Sequence, residues 1–233
     1  MIERKYWAEA GVETTMGTTD ELIAQVQSLL NEGVALSNAS AAKFQQAAET
    51  WRGMGTPTIF SLDVPWIGQN VAECNTDDYS NSDCGPASLA MWIGYLGRVV
   101  TVDQVSVATG LPRGFTYTLP AHLITAAGNF GLNLKRVIGL THDMIKAEID
   151  KRNPLIVLVH YGSLPKRSSA TFTAGHWLML TGYTVDGFVI YNDPLWQDAG
   201  GGKSLKMSWA QLDQAMADCA KDGNTINQGL MKV

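Results

Sequence analysis

Asp83-Cys84-Gly85-Pro86-Ala87-Ser88 sets a thiol at a Gly-Pro turn, directly ahead of an apolar run. Leu89, Trp92, Ile93 and Leu96 fall at helical spacing, which predicts a helix starting at Cys84 and stopping at Gly97. Proline fits a first helical turn because an N–H there would lack an intrahelical partner anyway. A thiol at that point meets the positive end of the helix dipole, which favours the thiolate, the attacking species. Far downstream, Gly175-His176-Trp177 opens a predicted strand and Asn192-Asp193-Pro194 closes the next one. Cysteine, histidine and carboxylate in that order are the parts of a cysteine-nucleophile triad.

The positions compete with others of the same type. His160 also ends a strand, but it lacks the Gly-His-Trp context and leads into the polar loop from Ser163 to Thr173. His122 and His142 fall on predicted helices and are expected to face solvent. Either Asn192 or Asp193 can orient the histidine, and the two-residue period of a strand lets only one of them face it. Cys74 and Cys219 have no helix start and Gly-Pro turn of their own and read as structural.

The elements that must hold these groups alternate from about residue 58. Ile59 to Trp66 is extended and ends at Gly68-Gln69-Asn70; a polar loop from Asn75 to Ser82 then reaches the Cys84 helix. Thr101 and Gln104 form a capping box for a short helix. Thr118 is expected to cap another helix to about Phe130, and Thr141 one to about Arg152, with a strand from Leu134 to Ile138 between them. Leu155 to His160 is aliphatic without alternation, the pattern of a central strand. His176 to Tyr183 and Phe188 to Asn192 flank Asp186-Gly187, a hairpin signal. Gly200-Gly201-Gly202 reads as a flexible loop. Ser208 and Gln211 cap a last helix, followed by a polar tail. Helices first and an antiparallel sheet afterwards give an α+β domain.

Residues 1–55 differ. Thr18 and Glu21 have capping-box spacing, Leu22, Ile23, Val26, Leu29 and Leu30 form one apolar stripe, and Gly33 marks a stop. A second helix follows Asn38 with Phe44, Ala47, Ala48 and Trp51 on one face, and 52–57 reads as a linker. Two short amphipathic helices bury little alone, so they pack on the main body or dock onto a partner. The domains are thus an N-terminal helical segment, 1–55, and a main domain, 56–233.

The 233 residues carry a net charge of −5 and no Lys/Arg run longer than two, which argues against a nucleic-acid partner. No window of about 18 apolar residues occurs, so no membrane span is expected. The first residues, Met1-Ile2-Glu3-Arg4-Lys5, lack the apolar core of a secretory signal, so a soluble, cytoplasmic protein is the default. A phage particle or release by lysis would leave the same trace. Neither the three cysteines nor the four histidines make a zinc pattern, and no cofactor or metal is expected.

Residues from about 58 to 215 resemble the C39-like branch of the papain-like cysteine peptidases, which includes the bacteriocin-leader peptidases. The resemblance rests on Val64-Pro65-Trp66-Ile67-Gly68-Gln69, Asp83-Cys84-Gly85-Pro86-Ala87, Gly175-His176-Trp177 and Asn192-Asp193-Pro194, in that order. It implies a papain-like fold with a central helix carrying Cys84 against an antiparallel sheet carrying His176 and Asp193. Gln69 would then join the Cys84 backbone N–H in binding the oxyanion. The implied activity is a thiol protease, a hydrolase that cuts a peptide or amide bond through a Cys84 thiolate, the His176 base and an acyl-enzyme. The leader enzymes cut after a double glycine beside an export ATPase; this chain shows no ATP-binding motif, so a free-standing peptidase with a peptide or protein substrate is expected. The alternatives are a cell-wall peptide amidase or endopeptidase, and a catalytically silent binding or structural module.

Overall fold

The computed structural model describes residues 23–24, 26–35, 40, 43, 59–71, 82–112 and 117–233. The chain divides into two units, Met1–Thr56 and Pro57–Val233. In the first, described residues from 23 to 35 are helical, so Gly33 lies inside the helix and does not stop it. Ile23, Val26, Leu29, Leu30 and Val34 are all exposed. Ser40 and Lys43 are helical. The Thr18–Glu21 capping box, the face from Phe44 to Trp51, the linker, Cys74 and most of the polar loop before Ser82 lie outside the described residues.

The second unit is α+β. Its elements run β1 (Ile59–Ser61), α1 (Cys84–Tyr95), α2 (Val102–Ala108), α3 (Pro120–Asn129), β2 (Leu134–Ile138), α4 (His142–Asp150), β3 (Leu155–His160), β4 (Gly175–Thr184), β5 (Phe188–Asn192), α5 (Ala199–Gly202), β6 (Leu205–Ser208), α6 (Trp209–Ala217) and β7 (Gln228–Lys232). One sheet forms in the order β2-β7-β3-β4-β5-β6, with β1 added to β4, and every pairing is antiparallel.

Helix α1 is buried on all sides from Gly85 to Ile93, more than one apolar stripe requires. Leu89, Trp92 and Ile93 are at most 1% exposed. Burial of each such side chain contributes about 1.5–3 kcal/mol, enough together to hold the helix firmly against β4. Leu96, the fourth expected core position, falls past the last turn and is exposed; Gly97 follows with φ +81°, the left-handed stop the sequence promised. Two glycines let neighbours come close. A Cβ at Gly85 would sit 3.1 Å from the Trp177 ring, and one at Gly94 would sit 2.8 Å from Pro65.

Three expectations need correction. Thr118 does not cap α3: Leu119 takes the N-cap and Pro120 the first turn, where fixed φ and a missing N–H cost nothing. The Thr118 carbonyl is occupied by the indole N–H of Trp177 at 2.9 Å. The polar tail is a strand; β7 inserts between β2 and β3, so the C-terminus completes the sheet. Its Gly229, Leu230 and Met231 are buried where the sequence offers only a short apolar run. Gly200-Gly201-Gly202 is one turn of helix, capped by the Asp198 carboxylate accepting from the Gly201 N–H at 2.8 Å.

β1 docks where β4 breaks register. The β4–β5 pairing shifts between Leu180 and Gly182, and Ser61 pairs with Gly182. A Cβ on Gly182 would lie 2.3 Å from the Phe60 carbonyl oxygen and 2.9 Å from Ser61 Cα, both main-chain atoms that cannot swing aside. Gly182→Ala is therefore expected to destabilise the fold by about 1–3 kcal/mol, read as a lower urea midpoint. A change under about 0.5 kcal/mol would show that β1 gives way freely.

Candidate active site

Cys84 is the first residue of α1 and half-buried. The preceding Asp83 offers no side-chain cap to the helix; its Oδ1 accepts from the Ser106 hydroxyl at 2.8 Å and ties the start of α1 to α2. The thiol thus faces a helix start with no carboxylate cap competing for its dipole.

His176 is the second residue of β4, 1% exposed. Its Nε2–H donates to Asp193 Oδ1 at 2.8 Å, and Cys84 lies near enough to act on the ring. Burial alone would disfavour the imidazolium, but Asp193 and Cys84, each by charge and by hydrogen bond, outweigh it and raise His176 to about 9. Tyr161 meets the imidazole edge-on with ring centroids 4.8 Å apart, and Phe172 does so at 6.1 Å. Two aromatic walls therefore fix the ring plane.

Asp193 follows β5 and is fully buried. Oδ1 also accepts the Leu195 N–H at 2.9 Å, an Asx turn that sets the carboxylate. Its main chain is pinned on both sides: its N–H donates to the Gly202 carbonyl at 2.9 Å, and its carbonyl accepts from the Trp66 indole at 2.8 Å. A Cβ at Gly202 would meet Trp66 Nε1 at 2.2 Å, so only glycine closes this cradle. Burial and the Asp193 charge raise the Tyr161 phenol, and burial with the same charge pushes the Tyr191 phenol up, so both stay protonated near the carboxylate.

Asn192 points elsewhere. Its amide donates to the Val64 carbonyl at 3.3 Å and accepts from the Ser204 N–H at 2.9 Å, binding β5 to the stretch after β1. Gln69 is 1% exposed, and its own N–H donates to the Pro194 carbonyl at 2.8 Å, beside Asp193. His160 belongs to a separate network: Nδ1 is 3.1 Å from the Ser163 hydroxyl, which donates to Asp218, and Nε2 is 3.9 Å from Asp222. His142 is not free in solvent; Nε2 lies 2.7 Å from Asp213 and the ring packs on Trp209. His122 is half-buried and accepts the Leu119 N–H at 3.2 Å through Nδ1. Cys219 is buried on the 3₁₀ turn after α6, donates to the Ala215 carbonyl at 3.7 Å, and is pushed up to about 12 by burial and two nearby aspartates.

Cys84 and His176 open onto a cleft of about 1140 Å³, walled by residues 117–121 and Ile124 at the start of α3 and by Phe172 and Trp177. Trp66, Gly202, Tyr161 and Phe172 abut His176 or Asp193, and sequence reasoning did not assign them. Trp66 stood within the Val64–Gln69 motif and was open to notice; Tyr161 and Phe172 carry no sequence signal.

The family model described as Peptidase_C39 like matches residues 61–216. The chain belongs to this family. Among solved structures it is similar to a protein described as a C39-like peptidase from Bacillus anthracis, with a TM-score of 0.51 and 17% identity over 73% of this chain and 94% of that one. It is also similar to a double glycine motif protease from an AMS/PCAT transporter in complex with its leader peptide, with a TM-score of 0.45 and 23% identity over 74% and 93%. A third is the peptidase domain of Streptococcus ComA, a bi-functional ABC transporter of a quorum sensing pathway, at 0.44 and 17% over 65% and 90%. No curated protein matches in sequence. The fold is that of the C39 branch of the papain-like peptidases. Among the described residues no helix is long and apolar enough to cross a membrane, and no group of side chains could hold a metal.

Proposed function

We propose that this C39-like family member is a cysteine peptidase acting through Cys84, His176, Asp193 and Gln69, with residues 56–233 as the catalytic domain. The observation that supports it is one buried imidazole bonded to the Asp193 carboxylate and acted on by Cys84, with Cys84 and His176 at the wall of one cleft. The Cys84 thiolate attacks the scissile carbonyl carbon and forms a C–S bond. The oxyanion is met by the Cys84 N–H and the Gln69 side-chain amide, one such donor lowering the barrier by on the order of 3 kcal/mol. His176, held as imidazolium, gives its proton to the leaving amine as the C–N bond breaks. It then takes a proton from the water that attacks the thioester, and Cys84 is released. Asp193 keeps the imidazole in the tautomer and plane this exchange needs.

The cleft exceeds the usual 300–1,000 Å³ of a small-molecule pocket, and its walls are largely apolar, which suits a stretch of peptide. The test is turnover across a library of blocked peptides that includes Gly-Gly and cell-wall stem sequences, with mass spectrometry for a peptidyl thioester on Cys84. Cleavage with a trapped thioester is expected. Cleavage without any covalent intermediate on Cys84, or none across the library, would overturn the reading.

A further inference from the structure

Arg136 lines the same cleft as Cys84 and His176, yet nothing in the chemistry above uses it. It lies on β2 and its guanidinium is held at two points. Nε–H donates to Gln228 Oε1 at 2.9 Å and an Nη2–H to Thr225 Oγ1 at 2.8 Å. Both acceptors are neutral. Gln228 is itself 3% exposed and fixed by donating to the Thr225 carbonyl at 3.0 Å, so the cradle is rigid on the protein side. Among the described residues no carboxylate comes within ion-pair distance of Arg136; Asp222, the acid in the same cleft, lies instead 3.9 Å from His160. A guanidinium has five N–H donors in a planar fork, and this one spends two on its cradle. The unused donors, with the full charge, face a channel in a protein of net charge −5. Such a fork matches a carboxylate.

The sheet gives the distance. β2 is three strands from β4 in the order β2-β7-β3-β4. Three interstrand spacings make about 14 Å, roughly four residues of extended peptide. Register sets the Arg136 backbone opposite Leu230, Leu230 opposite Ile156 and Ile156 opposite Met179, so the residue starts three positions along from His176. The side chain shortens that offset, because its two hydrogen bonds draw it toward Thr225 and Gln228, the His176 end of the sheet.

We infer that Arg136 is a specificity residue that receives a substrate carboxylate, an acidic side chain or the peptide C-terminus, about four residues from the scissile bond. The inference rests on the peptidase reading of the cleft. Its test is a positional library of peptides, each with one Glu or the matching Gln, blocked or free at the C-terminus. Each peptide is compared by kcat/KM on the wild-type chain and by binding to Cys84→Ala, which needs no catalysis. A Glu-over-Gln preference on the order of tenfold is expected at one position, three to five residues from the cut, or for a free carboxylate at that distance. Arg136→Gln should bring the ratio to about one, Arg136→Lys should retain part of it, and Arg136→Glu should favour Lys at that position. An acid preference that persists in Arg136→Gln, or peptides cleaved and bound with no acid preference anywhere, would overturn this inference and leave the peptidase reading standing. Failure of every peptide to bind or be cut would overturn both.

Discussion

Cys84→Ala should lower turnover by on the order of 10⁴-fold or more while the circular dichroism spectrum and thermal midpoint stay near those of the parent chain. The asymmetry follows from where the sulfur sits. α1 is held by Leu89, Trp92 and Ile93, all at most 1% exposed, and by its packing on β4. Alanine is the best helix former, so the first turn loses nothing in propensity. The nucleophile disappears while its surroundings remain. The same replacement should remove a fast phase of iodoacetamide labelling at pH 6, where an ordinary thiol is almost wholly protonated. Cys219 cannot supply that phase: it is fully buried, bonded to the Ala215 carbonyl and pushed up to about 12. Hydrolysis that survives in Cys84→Ala, or a fast phase that survives with it, would sink the assignment of Cys84.

The two kinds of evidence in the sequence fared differently, for a physical reason. Cys84 at a helix start, the Asp186-Gly187 turn and the Thr101–Gln104 and Ser208–Gln211 capping boxes are local signals, and the structure carries each of them. The hairpin brings His176 and Asp193 to the same end of one strand pair, because an antiparallel pair returns to its own start. What could not be read was non-local. β7 has five residues and no strong alternation, and only the gap between β2 and β3 makes it a strand. The triple glycine looks flexible in isolation; Trp66 and the Asp193 main chain fill the space that side chains would need, and so hold it as a turn of helix. Asp193 and its rival Asn192 could each orient a histidine by type, and the period says only that one of them faces it. The Val64 carbonyl and the Ser204 N–H, from distant parts of the chain, decide between them. The Arg136 cradle spans 92 positions to Gln228, and no motif could announce it.

Asp193→Asn should cost turnover on the order of 10²–10⁴-fold and move the alkaline limb of activity to lower pH. The amide can still accept at Oδ1 from the imidazole and from Leu195, so the geometry is largely kept and the change is in charge. His176 stands at about 9 because Asp193 and Cys84 together overcome a burial that by itself would lower it. Without the carboxylate, burial weighs against Cys84 alone, and the imidazolium gives up its proton earlier as pH rises. The stability linkage has the same sign. A histidine raised from 6.5 to about 9 contributes stability that is fully present below 6.5 and drains away as pH climbs through 9. The parent chain should therefore lose thermal stability between pH 6.5 and 9.5, and Asp193→Asn should lose less over that window, from a lower starting point. Asp193→Ala is the harsher case, since it strands a buried imidazolium beside the emptied carboxylate site and should cost about 3–5 kcal/mol of stability. Profiles of kcat/KM and of melting temperature against pH, taken on parent and Asn variant together, decide the matter. An alkaline limb that does not move in Asp193→Asn would mean that His176 owes its charge to Cys84 alone, and the carboxylate would be left a purely structural part.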